Sequence, residues 1–227
     1  MARYLVTACN RGIGLGLVRE LLKRGHFVFG TCRNPNGERD LWELEADYEE
    51  RFKLLEMDVA DEKSIQKACS QIDHIDVLIN NAGVLEDIDK GLTELCFNHV
   101  HKAFTVNSVG PMMVSKYCLP ALKKSREAKI FHIGSQLASI EQNDSGLAYA
   151  YRASKAALNM LNKNISIEYP DILSCVIHPG WVKTRMGGEK ATLSIEDSVE
   201  SICDTVQSLD LKDTGKFIDY RGQELSW

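Results

Sequence analysis

The chain has 227 residues, of which 44% are hydrophobic, and this composition is enough for one large α/β domain with a sizeable core. Its formal net charge is −5 and it has no basic run, which argues against a nucleic-acid partner or a membrane-surface patch. No apolar stretch approaches the length of a membrane span and no signal-peptide pattern follows Met1, so we expect a cytoplasmic protein that acts on a small molecule.

The seven cysteines are scattered without Cys-x-x-Cys spacing, which predicts reduced thiols in the core. His99 and His101 flank Val100, but two histidines without further ligands are weak evidence for a metal. We therefore predict no metal site.

The first elements of the chain predict a βαβ unit. An apolar run over residues 3–8 is followed by a glycine-containing turn over residues 9–14, a leucine-rich helical pattern and a second β-rich run over residues 26–32. Glycines in such a turn let the backbone approach a phosphate, and the helix N-terminus presents free N–H groups, so we expect a bound dinucleotide. Tight turns also use glycine for steric reasons, so the position between strand and helix carries the inference.

The second strand ends in a basic residue, Arg33, where a dinucleotide fingerprint expects an acid about 20 residues after its glycines. An arginine at this position favours a ribose 2′-phosphate, and Arg11 in the first turn is a second candidate cation. A solvated arginine at a strand end explains Arg33 equally well from position alone. We expect NADP(H) in preference to NAD(H).

The rest of the chain alternates between strand and helix. The predicted helices cover residues 38–50, 61–70, 100–124, 147–169 and 194–209, and the predicted strands cover residues 52–57, 75–79, 128–133, 172–178 and 215–220. This alternation predicts a single α/β domain over residues 1–227, with a Rossmann-like, doubly wound sheet of about seven parallel strands and helices on both faces.

Polar and small residues stand where successive strands end. Asp58 follows the third strand, and Asn81 and Gly83 follow the fourth. Turn and capping chemistry explains each residue singly, but it does not explain their repetition at the edge where open parallel sheets bind ligands. These strand ends are therefore candidate ligand contacts.

The predicted helix over residues 100–124 is interrupted by Gly110 and Pro111. Proline has no N–H and its ring clashes with the carbonyl four residues back, so we expect the Asn107 carbonyl to lack its usual partner. A water molecule bound there could link Asn107 to Lys155 and carry protons to Tyr151. The alternative is an ordinary proline kink in which the Asn107 side chain bonds to local backbone.

Tyr151 and Lys155 lie one turn apart on a predicted helix and share a face. An ammonium on that face should favour the phenolate and lower the phenol's pKa from its free value of about 10. Such a pair is suited to passing a proton. In isolation, a tyrosine and a lysine at this spacing more often interact at a helix surface.

Taken together, five motifs resemble the short-chain dehydrogenase/reductase family: Thr7-x-x-x-x-Gly12-Ile13-Gly14, Asn80-Asn81-Ala82-Gly83, Ser135, Tyr151-x-x-x-Lys155 and Pro179-Gly180. They occur in the family's order and cover nearly the whole chain. The run over residues 182–188, the ending over residues 215–220 and the short length are most similar to the C-factor and sniffer-type carbonyl reductases of that family.

The resemblance implies an NADPH-dependent reductase with a carbonyl substrate. Its implied catalytic residues are Tyr151 as proton donor, Lys155 as ribose ligand and partner of Tyr151, Ser135 as ligand of the substrate oxygen and Asn107 in a proton relay. Its implied cofactor-binding residues are Thr7, Asn10, Arg11, Gly12, Ile13, Gly14, Arg33, Asp58, Val59, Asn81, Ala82, Gly83, Tyr151, Lys155, Pro179, Gly180, Val182 and Thr184. Among these, Asp58 and Val59 would hold the adenine, residues 81–83 the adenosine side and residues 179–184 the nicotinamide.

The chain departs from the family pattern at Ala8, which stands where the fingerprint usually has its first glycine. The added methyl group is expected to cost a modest part of the cofactor affinity. The segment over residues 185–192 is too short for an elaborate substrate lid, so specificity should depend on four other residues, Gln136, Leu137, Trp181 and Met186.

A second hypothesis is a signalling or regulatory protein of C-factor type that binds a dinucleotide with little turnover. The intact set of Tyr151, Lys155, Ser135 and Asn107 favours the enzyme, although both roles can coexist. A homodimer or homotetramer is a possible assembly.

Overall fold

The computed structural model describes residues 1–227 and contains one fully parallel sheet of seven strands in the order β3-β2-β1-β4-β5-β6-β7. The strands are β1 (Arg3–Val6), β2 (Phe27–Cys32), β3 (Phe52–Glu56), β4 (Val77–Asn80), β5 (Lys129–Ile133), β6 (Leu173–His178) and β7 (Phe217–Asp219). The predicted doubly wound α/β sheet is confirmed.

Seven α-helices surround the sheet: α1 (Gly12–Lys23), α2 (Arg39–Asp47), α3 (Glu62–Cys69), α4 (Phe97–Phe104), α5 (Gly110–Leu122), α6 (Tyr149–Glu168) and α7 (Ile195–Ser208). Each corresponds to a helix or part of a helix predicted from the sequence. None of them combines the length and apolar character needed to cross a lipid bilayer.

Both faces of the sheet are buried, which explains why its strands are almost continuously apolar. In β4, for example, Val77 and Ile79 pack into one core and Leu78 packs into the other. Helices α1, α2 and α7 cover the first face, and α3, α5 and α6 cover the second. Because side chains alternate along a strand, a strand covered on both sides needs apolar residues at every position.

The predicted interruption before Pro111 is a π-helical turn over Thr105–Val109 that joins α4 directly to α5. The Gly110 N–H donates to the Thr105 carbonyl, five residues back. Pro111 offers no N–H to continue the α-helical pattern, and a widened turn accommodates the missing bond. The close fit also requires glycine at position 110, since a Cβ there would lie 2.8 Å from the Val59 carbonyl oxygen.

The strand order reverses at β1, which lies between β2 and β4. In open parallel sheets the ligand crevice lies beyond the carboxyl ends of the strands at such a reversal. The turn after β1 and the loop after β4 therefore form the walls of the expected crevice.

Candidate active site

The turn between β1 and α1 leaves the first N–H groups of the helix available to a ligand. Arg11 occupies the N-cap position but makes no side-chain capping bond, and the first turn of α1 contains no acidic residue. Gly12 has φ +54°, in the left-handed region that favours glycine. Free N–H groups at the positive end of a helix can hold a phosphate, so this turn fits the predicted pyrophosphate position.

Gly14 lets this turn approach the loop after β4. A Cβ at Gly14 would lie 2.4 Å from the Ala8 carbonyl oxygen and 2.5 Å from Nδ2 of Asn81. That same Nδ2 donates to the carbonyls of Thr7 and Ala8 at 2.9 and 3.1 Å. Any side chain at position 14 would therefore separate the two walls of the crevice.

Thr7 also connects the turn after β1 to the loop after β4. Its buried hydroxyl accepts hydrogen bonds from the backbone N–H groups of Asn81 and Ala82 at 2.9 and 3.1 Å. The polar groups of Thr7 and Asn81 are thus bonded within the protein, and they shape the crevice. Their direct contact with a cofactor stays a prediction.

Ala8 adopts φ +53°, a left-handed conformation that is costly for a residue with a Cβ. The position that the sequence marks as a departure from the family is thus also a strained one. Nearby bonds hold it in place, because Asn81 binds the Ala8 carbonyl and the Cys9 N–H donates to Thr31 at 2.9 Å.

We expect Ala8→Gly to stabilise the protein by about 0.5–1 kcal/mol. Release of the left-handed strain gains about 1–2 kcal/mol, and the greater freedom of glycine in the unfolded chain offsets part of it. Urea unfolding would measure the change, with Ala60→Gly as a control at an exposed turn of ordinary φ. Destabilisation of the same size by both substitutions would show that strain at Ala8 is unimportant.

Lys155 is buried at the carboxyl end of β5. Its Nζ donates to the Ile133 carbonyl at 2.7 Å and lies 5.9 Å from the centre of the Tyr151 ring. Burial lowers the pKa of this ammonium to about 8, because desolvation disfavours the charged form. An ammonium has three N–H donors, so two remain for a ligand after the bond to Ile133.

Tyr151 and Ser135 meet at the same end of β5. Burial raises the pKa of the Tyr151 phenol, and the neighbouring Ser135 side chain opposes part of that rise. The direction is therefore opposite to the lowering expected from Lys155, because desolvation of the phenolate is the largest cause. The phenol is protonated at neutral pH and is suited to donate a proton.

Asn107 completes the set by fixing the loop after β4. Its side chain accepts from the Val84 N–H at 2.8 Å and donates to the Val84 carbonyl and to the Ser154 hydroxyl at 2.9 and 3.0 Å. A Cβ at Gly83 would lie 3.5 Å from Oδ1 of Asn107 and 3.6 Å from Nζ of Lys155. Asn107 and Lys155 thus approach the same point of this loop.

The expected adenosine side is built from the ends of β2 and β3. The Asp58 N–H donates to Ser64 at 2.9 Å, and the Asp58 carboxylate accepts from the Ala60 N–H at 2.9 Å. Val59 is buried next to this turn. Their contacts with adenine stay a prediction.

Glu38 is a residue of this region that the sequence analysis missed. Its carboxylate accepts a hydrogen bond from Nδ2 of Asn10 at 2.7 Å, which places it beside the glycine-containing turn. The sequence analysis assigned it to the second helix, but it is an acid at roughly the distance from the glycines at which the fingerprint expects one. Glu38 and the exposed Arg33 therefore have opposite implications for the ribose 2′ position.

The loop after β6 reaches across to the glycine-containing turn. The Ser198 hydroxyl binds the Pro179 carbonyl at 2.7 Å, and a parallel bridge joins Val182 to Leu193. A Cβ at Gly12 would lie 3.5 Å from Cγ2 of Thr184. The predicted nicotinamide segment is thus adjacent to the predicted phosphate cradle.

The candidate specificity residues lie on exposed or half-exposed parts of the site. Trp181 and Met186 are both about half exposed, and the Trp181 Nε1–H donates to the Gly187 carbonyl at 2.8 Å. Gln136 and Leu137 form the start of a short 3₁₀ turn directly after Ser135. The carboxyl end of the segment over residues 185–192 is hydrogen-bonded to the loop after β6, because the Thr192 N–H donates to the Trp181 carbonyl at 3.2 Å.

Arg152 is a second residue that the sequence analysis missed. Its guanidinium donates to the Leu137 carbonyl, the Gly146 carbonyl and the Ser145 hydroxyl at 3.3, 3.2 and 2.9 Å. It therefore ties the turn after Ser135 to the loop before α6. That loop carries Leu147 and Ala148 at φ +55° and +47°, so the helix of Tyr151 begins from a strained backbone.

The fold is Rossmann-like, its glycine-containing turn fits the phosphates of a dinucleotide, and Tyr151 and Lys155 are both buried. A profile of short chain dehydrogenases matches residues 3–193. The chain belongs to this family. No group of three or more His, Cys, Asp or Glu side chains is arranged to hold a metal ion.

Relatives and solved structures agree with the family assignment. The chain is 39% identical over 155 residues to the C-signal protein of Myxococcus xanthus, which covers 67% of this chain and 93% of that protein. The structure of the carbonyl reductase Sniffer of D. melanogaster superposes with a TM-score of 0.94 at 35% identity over 100% of both chains. An NADPH-bound carbonyl reductase from chicken fatty liver gives a TM-score of 0.94 at 33% identity, over 100% of this chain and 99% of that one.

Proposed function

We propose that the protein reduces an aldehyde or ketone to an alcohol with NADPH, and that Tyr151 donates the proton. The observation that carries this proposal is the buried Tyr151 phenol, which has Ser135 and Lys155 as neighbours at the carboxyl end of β5. Its structural relatives support the same chemistry, since two of them are described as carbonyl reductases and one of these binds NADPH.

Each residue has a distinct task in this reaction. The cofactor supplies hydride to the carbonyl carbon when it is bound. The Ser135 hydroxyl holds the carbonyl oxygen, and the Tyr151 hydroxyl gives that oxygen its proton. Lys155 offers its two remaining N–H donors to the nicotinamide ribose, and its charge stabilises the phenolate that Tyr151 becomes.

Asn107 is proposed to serve the return of the proton. We retain the hypothesis that its backbone carbonyl binds a water molecule that leads to Lys155 and Tyr151. The bonds of its side chain to Val84 and Ser154 support it, because they fix the residue next to Lys155 through the loop at Gly83.

The proposed activity is tested by a screen of NADPH oxidation with aldehydes, ketones, diketones and quinones as substrates. We expect turnover with at least one of these classes, and a rate about 10²–10⁴-fold lower when Tyr151 is replaced by phenylalanine. Absence of turnover across all four classes, in a protein that binds NADPH, would reject the reductase.

NADP(H) is the proposed cofactor because two exposed arginines, Arg11 and Arg33, lie at the turn and strand end that would face the adenosine ribose. Glu38 opposes this preference, since a carboxylate repels a 2′-phosphate and can instead bind a 2′-hydroxyl. Its bond to Asn10 occupies one of its oxygens.

We expect Arg33→Asp to shift the ratio of dissociation constants from NADPH toward NADH by roughly 10- to 100-fold. A charge-assisted contact to phosphate contributes about 1.5–3 kcal/mol, and each 1.4 kcal/mol is tenfold in affinity. Glu38→Gln should shift the ratio in the opposite direction. Titration of both cofactors measures it, and Arg126→Asp is a control with the same charge change at the amino-terminal end of β5. An unchanged ratio in Arg33→Asp would remove Arg33 from the cofactor site.

The second candidate function is a dinucleotide-binding signalling or regulatory protein with little turnover. The similarity to the C-signal protein favours it. The two functions differ in the substrate screen, because a pure signalling protein binds the cofactor and leaves every carbonyl unreduced.

A further inference from the structure

Two cysteines from different helices touch each other outside the candidate active site. Cys69 is the last residue of α3, and Cys118 lies in the middle of α5. Their Sγ atoms are 3.6 Å apart, and 49 positions separate them in the chain. Both side chains belong to the core between the sheet and these helices. The fold has therefore brought together two thiols that the sequence does not pair.

The two thiols differ in their access to solvent. Cys118 is fully enclosed, whereas Cys69 keeps 8% of its surface exposed at the end of its helix. The contact also polarises the pair: the hydrogen bond between the two sulfurs lowers the pKa of the Cys69 thiol, and the same bond together with burial raises the pKa of the Cys118 thiol. Since the thiolate is the nucleophile, Cys69 is the group that reacts first with an oxidant.

We propose that Cys69 and Cys118 are a redox-active pair that a hydroperoxide converts reversibly into an intramolecular disulfide. The sulfur atoms need to approach by about 1.5 Å to reach the usual S–S bond length of about 2.05 Å. The short helix α3 packs directly on α5, and Cys69 is its last residue, so the approach involves only the end of one helix.

The reaction proceeds in two balanced steps with hydrogen peroxide as the oxidant. The Cys69 thiolate attacks one peroxide oxygen, the O–O bond breaks, and a sulfenic acid and hydroxide form. The Cys118 sulfur then attacks Sγ of Cys69 and displaces the sulfenic hydroxyl, while the Cys118 proton leaves with it as water. In total, two thiols and one peroxide give one disulfide and two waters, and the thiols supply both electrons.

The other cysteines allow a test of whether proximity or exposure decides which thiol is oxidised. Cys96 is exposed, and the remaining four are buried, so Cys96 is the thiol that a simple exposure argument would select for oxidation. A pair mechanism predicts loss of two hydrogens and a bond between Cys69 and Cys118. A mechanism based on exposure predicts gain of oxygen at Cys96.

The experiment treats the folded, full-length protein with hydrogen peroxide and measures intact mass without a reductant, followed by peptide mapping. We expect a mass loss of two hydrogens, a peptide that joins Cys69 to Cys118, and recovery of both thiols with dithiothreitol. Cys69→Ser and Cys118→Ser should each lose this link, and Cys96→Ser should keep it.

Retention of seven thiols, oxygen addition at Cys96 alone, or a link between other cysteines in folded wild-type protein would overturn the proposal. If a serine variant at position 69 or 118 does not fold, the peptide maps of the wild type and Cys96→Ser still decide between these outcomes. None of these measurements depends on the proposed reductase activity.

Discussion

Replacement of Tyr151 by phenylalanine should lower the rate of carbonyl reduction by about 10²–10⁴-fold, the range that a positioned general acid contributes. The substitution removes one hydroxyl and keeps the ring, so NADPH should bind with nearly the wild-type dissociation constant. The ring that remains should occupy the same buried position.

Steady-state kinetics and NADPH titration, performed on the same preparations, measure the two quantities. Tyr149→Phe is a matched control, since Tyr149 lies on the same helix but is exposed. Near wild-type turnover in Tyr151→Phe with every active substrate would show that the proton comes from elsewhere.

Replacement of Lys155 by alanine should reduce both turnover and cofactor affinity, in contrast to the tyrosine variant. The ammonium is proposed to bind the ribose and to stabilise the Tyr151 phenolate, so its loss removes two contributions at once. A hydrogen bond to a charged group is worth about 1.5–3 kcal/mol, which corresponds to roughly a 10- to 100-fold weaker dissociation constant for NADPH.

The exposed Lys163 on the same helix supplies the control variant, Lys163→Ala. Comparison with Tyr151→Phe separates the role of Lys155 in binding the ribose from its role in stabilising the phenolate. Equal losses of NADPH affinity in Lys155→Ala and Tyr151→Phe would indicate a structural role for the pair, and unchanged affinity in Lys155→Ala would remove the ribose contact.

Lys155 should also make the free energy of unfolding depend on pH. Burial lowers the pKa of its ammonium from 10.5 to about 8, so between these values the unfolded chain binds more protons than the folded one. The free energy of unfolding of the wild type, relative to Lys155→Ala, should therefore rise with pH from about 8 to 10.5. Urea unfolding at a series of pH values would measure it, and a flat difference would contradict the burial of a charged lysine.

Much of the architecture follows from the sequence because its causes are local. A strand covered on both faces needs apolar residues along most of its length, and the run Val77, Leu78 and Ile79 shows this directly in the sequence. The missing N–H of Pro111 likewise predicts an interrupted helix. The sequence does not specify that the interruption takes the form of a π-helical turn, which depends on the packing of Gly110 against Val59.

The motifs located the tyrosine, the lysine and the glycines, but the spacing of Tyr151 and Lys155 gave the wrong sign for the phenol's pKa. A helix face brings an ammonium near a phenol, and a charge argument then predicts a lowered value. The tertiary structure buries both groups, and desolvation of the charged form is the largest cause of both pKa shifts. The burial of Tyr151 and Lys155 depends on every element that packs over them, so the spacing of the two residues does not predict it.

By itself, the sequence determined the order of strands and helices, the family motifs and the residues proposed to carry the chemistry. Only the tertiary structure decided which distant residues meet: Glu38 with Asn10, Arg152 with the turn at Leu137, and Cys69 with Cys118. The physical reason is that periodicity and turn chemistry act over a few residues, whereas these contacts depend on how loops and helices pack across the sheet.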